Sequence, residues 1–114
     1  MQEVPPKGSI EDLINDLFSP IYVTRVLAVE QLRKGLFSQA TFPLVCTLLK
    51  EDNPQLRSEI IETLLLIIEG RVLEKVLDFP LQLKIDFQKL IENSKEQEEQ
   101  ENLDIVYKAL WPKG

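Results

Sequence analysis

Residues 52–64 read Asp52-Asn53-Pro54-Gln55-Leu56-Arg57-Ser58-Glu59-Ile60-Ile61-Glu62-Thr63-Leu64. Asn53-Pro54 opens a helix: the asparagine can cap free backbone N–H groups, and proline at the first helical position gives up an N–H that has no helical partner. Arg57, Ile60, Ile61 and Leu64 follow at helical spacing, and the same pattern stands 32 residues earlier as Arg25, Ala28, Val29 and Leu32. The stretch in front of each copy repeats as well, Ile10, Leu13, Ile14 and Leu17 matching Phe42, Val45, Cys46 and Leu49. Each copy is thus predicted to be a pair of helices that cannot bury its apolar stripe alone and stacks on its neighbour, the signature of an α-solenoid.

Working outward, Ser9 and Asp12 form a capping pair for a first helix from about Ile10 to Phe18. Ser19-Pro20 resembles Asn53-Pro54 and is expected to open a second helix reaching about Lys34, before Gly35. After Ser38 to Thr41, with Thr41 as the cap, comes a third helix, and the fourth runs from Asn53-Pro54 to Gly70. Leu64-Leu65-Leu66-Ile67-Ile68 is apolar around most of its circumference, as expected of a helix packed on both sides, so further structure must follow it. Val72, Leu73, Val76 and Leu77 are assigned to a short outer helix, with Leu83, Phe87, Leu90 and Ile91 on its partner after Pro80. Ser94 and Gln97 have capping-box spacing and open a last helix carrying Leu103, Val106, Tyr107, Leu110 and Trp111, ended by Pro112. The fold class is all-α, an α-α superhelix of about three helical hairpins with a C-terminal capping helix. Residues 1–9 form a flexible leader and 10–114 a single domain.

The chain has 13 basic and 19 acidic residues, a net charge of −6, no histidine and one cysteine, Cys46. An acidic balance argues against a phosphate-backbone binder, so nucleic acid is not expected as a partner. Without histidine there is no Ser-His or Cys-His nucleophile and no His-ligated metal, and one cysteine makes neither an internal disulfide nor a structural zinc site. The N-terminus lacks a signal pattern and no apolar run approaches the ~20 residues needed to cross a bilayer, so a soluble, cytoplasmic protein is expected. The four glycines are scattered and form no phosphate-binding loop. No enzyme activity, cofactor or metal is expected.

The Asp52 to Arg57 stretch, continued by Ile60, Ile61 and Leu64, resembles HEAT-like repeats of the short bacterial, phycobilisome-lyase-like type. Arg25, Ala28, Val29 and Leu32 match the same pattern less fully, and the resemblance covers about residues 10–70. It implies a right-handed stack whose second helices line a concave binding surface. Most such proteins are scaffolds or adaptors, and a minority handle bilins, which adds a lyase-like or chaperone role on a tetrapyrrole-bearing protein as an alternative.

If Ala28, Val29 and Leu32 face the core, the other side of that helix presents Val23, Leu27, Glu30 and Lys34. The fourth helix presents Gln55, Glu59, Glu62, Leu66 and Glu69 in the same way. Leu27, Glu30, Lys34, Glu59, Glu62, Leu66 and Glu69 are thus the candidate concave face, suited to a protein with a basic and apolar surface; the bland alternative is a solvated helix face. Arg25 and Arg57 read as a structural ladder tied to turn carboxylates such as Asp52, with an anionic ligand as the other use. Cys46 reads as a small hydrophobe. Tyr107 and Trp111 either anchor a partner or close the end of the core, and a homodimer through the Trp111 helix or the Leu65-Leu66 surface is a third reading.

Overall fold

The computed structural model describes residues 10–35, 38–70 and 80–112. These form α1 (Ile10–Asp16), α2 (Tyr22–Gly35), a 3₁₀ turn (Ser38–Ala40), α3 (Thr41–Lys50), α4 (Pro54–Glu69), α5 (Leu81–Asn93) and α6 (Gln97–Leu110), with no strand among the described residues. The leader, residues 1–9, and the helix assigned to Val72, Leu73, Val76 and Leu77 lie outside the described residues.

Consecutive helices pair as α1 with α2, α3 with α4 and α5 with α6. A second set of contacts runs across the pairs: α2 packs on α4, α4 on α6, and α3 on α5. α4 is therefore the central helix, flanked by α2, α3 and α6. Its side chains explain the position, since Leu56, Ile60, Leu64 and Ile67 are fully covered and Leu65 and Ile68 pack against the same core. Each such burial contributes about 1.5–3 kcal/mol before the entropy of ordering the chain is subtracted.

The pairing of the last helices differs from the sequence expectation. Leu83 and Phe87 belong to a helix that packs on α3 and α6 rather than one that follows α4 in the central row. That place goes to α6, which buries Leu103, Val106 and Leu110.

The repeat is kept best in α2 and α4. Ala28, Val29 and Leu32 are buried, as are Ile60, Ile61 and Leu64. In α3 the buried stripe is Thr41, Leu44, Val45 and Leu48, while Phe42 is exposed and Cys46 and Leu49 only partly covered. α3 is thus rotated from the register that matches it to α1, because it must meet both α4 and α5.

The helix openings also sort differently. Asn53 caps α4 as expected, its Oδ1 accepting from the Gln55 and Leu56 N–H groups at 2.9 and 3.1 Å, with Pro54 in the first turn. Ser19 instead accepts from the Ile21 N–H at 3.0 Å, which leaves Pro20 in the turn and starts α2 at Tyr22. Thr41 is the first residue of α3, fed by the 3₁₀ turn, and its buried Oγ1 has no hydrogen-bond partner among the described residues. Ser94 is extended and ends α5, so the capping box with Gln97 does not form; α6 opens after Glu96 with no side-chain cap. Gln97 bonds along its own helix to Glu101 at 3.0 Å.

Candidate functional site

Arg25 and Arg57 hold the same place in α2 and α4, counted from the first residue of each helix. Each sends Nη1 to a backbone carbonyl in the turn before its helix, Arg25 to Ser19 at 3.0 Å and Arg57 to Glu51 at 3.3 Å. Each also reaches forward to a carboxylate of the next pair. Arg25 grips Glu51 with two nitrogens, Nε to Oε1 at 3.0 Å and Nη2 to Oε2 at 3.4 Å, and Arg57 Nη2 meets Glu99. The same place in α6 is Gln100, whose side-chain amide donates to the Ile91 carbonyl at 3.0 Å. Glutamine keeps the backward bond and lacks the charge for a forward one.

The ladder expected from the sequence is present, with a corrected partner: the carboxylate is Glu51, whereas Asp52 is exposed and takes no part. Glu51 is placed for this because its side chain is only 5% exposed, so a guanidinium fork satisfies it where a solvated Asp52 needs nothing. Its Oε2 also accepts from the Asn53 N–H at 3.2 Å. One residue thereby fastens the α3–α4 turn to α2 and, through its carbonyl, to Arg57.

This hub borders a cleft of about 750 Å³ lined by Phe18, Tyr22, Arg25, Lys50, Glu51 and Asp52 among others. The Arg25 guanidinium lies 5.7 Å from the Tyr22 ring centre and has Nε, Nη1 and Nη2 all engaged. A cation so committed is poorly suited to hold an anionic ligand, which favours the structural role.

The candidate concave face is assembled from two helices that touch. Leu27 is 54% exposed beside exposed Val23, Glu30 is partly exposed, and Lys34 is exposed. On α4, Glu62 and Glu69 are exposed while Glu59 and Leu66 are half-buried. Glu59 and Glu62 are not free carboxylates, since Arg33 of α2 meets Glu62 at 2.9 Å and lies 3.8 Å from Glu59. The longer contact is charge attraction alone, and Glu59 Oε1 has no hydrogen bond among the described residues. Arg33 was absent from the sequence reading of this face because it lies on the side of α2 turned toward α4, not on the stripe opposite the core.

A further exposed apolar residue stands on α6. Ile105 is 52% exposed, on the side of α6 away from Leu103, Val106 and Leu110. The sequence signal was there, an isoleucine breaking the buried stripe. Between α4 and α6 a groove of about 480 Å³ has Ile61 and Leu65 in its lining, with Glu62, Glu96, Glu98 and Glu99 around them.

Tyr107 and Trp111 stand elsewhere, in an aromatic cluster with Phe87 of α5, at ring separations of 6.2 Å for Phe87–Tyr107, 5.7 Å for Phe87–Trp111 and 5.3 Å for Tyr107–Trp111. Gln88 donates to the Tyr107 hydroxyl at 2.6 Å. Both rings are half-covered and packed against the core, which gives them a closing role in the α5–α6 pair. Cys46 is partly covered between α3 and α5, and burial pushes its thiol up, with Lys50 opposing. Such a thiol is a weaker nucleophile at neutral pH than a free cysteine. Among the described residues, no three His, Cys, Asp or Glu side chains gather so as to hold a metal ion, and no helix is long and apolar enough to cross a membrane. Comparison with protein-family models, curated proteins and solved structures finds no match.

Proposed function

We propose that this chain is a non-enzymatic protein-interaction module, a small HEAT-like stack used as an adaptor or assembly factor, and that its partner meets the solvent side of α2, α4 and α6. The observation that carries the reading is the exposure of Val23 and Leu27 on α2 and of Ile105 on α6, at 60, 54 and 52%, in a row of helices that also carries the carboxylates Glu30, Glu62, Glu69 and Glu98. Apolar anchors set in an acidic surround suit a basic and apolar protein surface, opposite charge speeding encounter and the anchors slowing release. The Arg25 and Arg57 ladder supports the stacked-pair architecture, since the same position makes the same two-way connection in successive pairs.

The test is a native pull-down from the source cell's lysate, comparing the wild-type chain with Leu27→Asp/Ile105→Asp. A stoichiometric protein that is captured by the wild type and lost from the double variant, with the helical circular-dichroism spectrum unchanged, is the expected result. Retention of that protein by the double variant sinks the assignment of the face. Charge reversal at Glu59 and Glu62 is a poorer probe, because it also breaks their contacts with Arg33.

A further inference from the structure

The internal repeat carries a template for what docks on α2. Where α2 packs on α4, the Tyr22 hydroxyl reaches Asn53 at the α4 N-cap at 3.5 Å and Arg33 pairs with Glu62, and between them on the same side of α2 lie half-covered Val26 and covered Val29. These residues form one side of a helix, an apolar stripe at i, i+4 and i+7 closed by a cation at i+11. The residues of α4 that Arg33 meets, Glu59 and Glu62, correspond 32 positions earlier to Leu27 and Glu30 of α2. There the receiving side is open: Leu27 and Val23 are exposed, and Glu30 makes no ion pair among the described residues.

Charge indicates what would cover it. The two guanidinium groups of α2 are committed, Arg25 to Glu51 in the α3–α4 turn and Arg33 to Glu59 and Glu62 of α4, while Glu11 and Asp12 of the adjoining α1 are exposed without an ion pair among the described residues. Glu11, Asp12 and Glu30 thus leave the α1–α2 pair with carboxylates that have no cation, against Lys34 as the one exposed cation among its described residues. A second copy of the chain does not supply the matching stripe at its other end. The places that Tyr22, Val26, Val29 and Arg33 hold in α2 are taken in α6 by Gln97, Glu101, Asp104 and Lys108. These are polar and paired with each other, Gln97 with Glu101 and Lys108 with Asp104, each at 3.0 Å.

Building on the adaptor role, we propose that the open side of α2 is the docking site for a helix of another protein that presents what α2 presents to α4. That helix carries apolar residues at i, i+4 and i+7, which cover Val23 and Leu27, and an arginine or lysine at i+11, which pairs with Glu30. The arrangement adds one more helix to the row α2, α4, α6.

The probe is a fluorescently labelled synthetic peptide of residues 20–35 of this chain, titrated with the full-length protein and followed by anisotropy. The peptide must fold as it binds, so saturation is expected only at high micromolar concentration. Glu30→Lys in the protein, or Arg33→Glu in the peptide, is expected to weaken binding about tenfold, and combining the two to restore it to within about threefold. Leu27→Asp should abolish binding with the circular-dichroism spectrum unchanged. Absence of saturable binding, or binding indifferent to all three changes, overturns the proposal. A concentration-dependent dimer in sedimentation that Leu27→Asp dissolves assigns the side to a second copy and overturns it as well. A lysate partner that survives Glu30→Lys but is lost on Leu27→Asp/Ile105→Asp leaves the adaptor reading standing while removing this docking site.

Discussion

The two ends of the central row are finished in opposite ways. At the α6 end, Gln97, Glu101, Asp104 and Lys108 satisfy one another, and the nearby apolar rings of Tyr107 and Trp111 are turned onto Phe87. At the α2 end, Val23 and Leu27 are left in water and Glu30 has no ion pair among the described residues. The ladder beneath them follows the same trend, from the two-nitrogen grip of Arg25 on Glu51, through Arg57 on Glu99, to the uncharged Gln100. A helix row that ends in self-satisfied polar side chains has nothing further to recruit, whereas one that ends in exposed aliphatic carbon still gains by being covered.

The largest expected effect comes from the helix shared by both ends. Leu64→Ala in α4 should lower unfolding stability by about 3 kcal/mol, the transfer loss plus an unfilled cavity, as read by urea denaturation. A loss well below 1 kcal/mol would mean that α4 does not carry the two ends as one unit. Next, the ladder should be graded. Glu51→Ala, which strands a part-buried guanidinium and the Asn53 N–H, is expected to cost about 2 kcal/mol, and Gln100→Ala at the other end about 1 kcal/mol. Equal losses would erase the distinction between charged and uncharged rungs. Smallest of all, Leu27→Ser and Ile105→Ser should each shift stability by no more than about 0.5 kcal/mol, since each residue is more than half exposed. A loss of about 2 kcal/mol at Leu27, seen in the same denaturation curves, would place that side chain inside the folded chain's own packing and close the α2 end.

The repeat was legible where one residue type does one job. Arg25 and Arg57, with Ala28, Val29, Leu32, Ile60, Ile61 and Leu64, announce paired helices because an inner helix packed on both flanks tolerates few alternatives. Asn53-Pro54 announced its cap because the asparagine needs only its own next turn. Ser19, Thr41 and Ser94 have equally suitable side chains, yet none caps a helix as expected, because the backbone that places each was set by how the chain had to turn between packed helices. Of the residues proposed for the face, the exposure of Leu27 and Lys34 was readable from helical spacing alone. The engagement of Glu59 and Glu62 by Arg33 was not.

By itself, the sequence determined that the chain is helical, that Ala28, Val29 and Leu32 of α2 and Ile60, Ile61 and Leu64 of α4 are buried, and that the arginines of these helices repeat; these follow from local periodicity, which every residue carries with it. Only the tertiary structure decided that Glu51 rather than Asp52 receives Arg25, that α6 rather than α5 completes the central row, and which carboxylates remain without a cation. Those outcomes depend on which side chain is dehydrated when two helices meet, a property of the pair and of neither sequence segment alone.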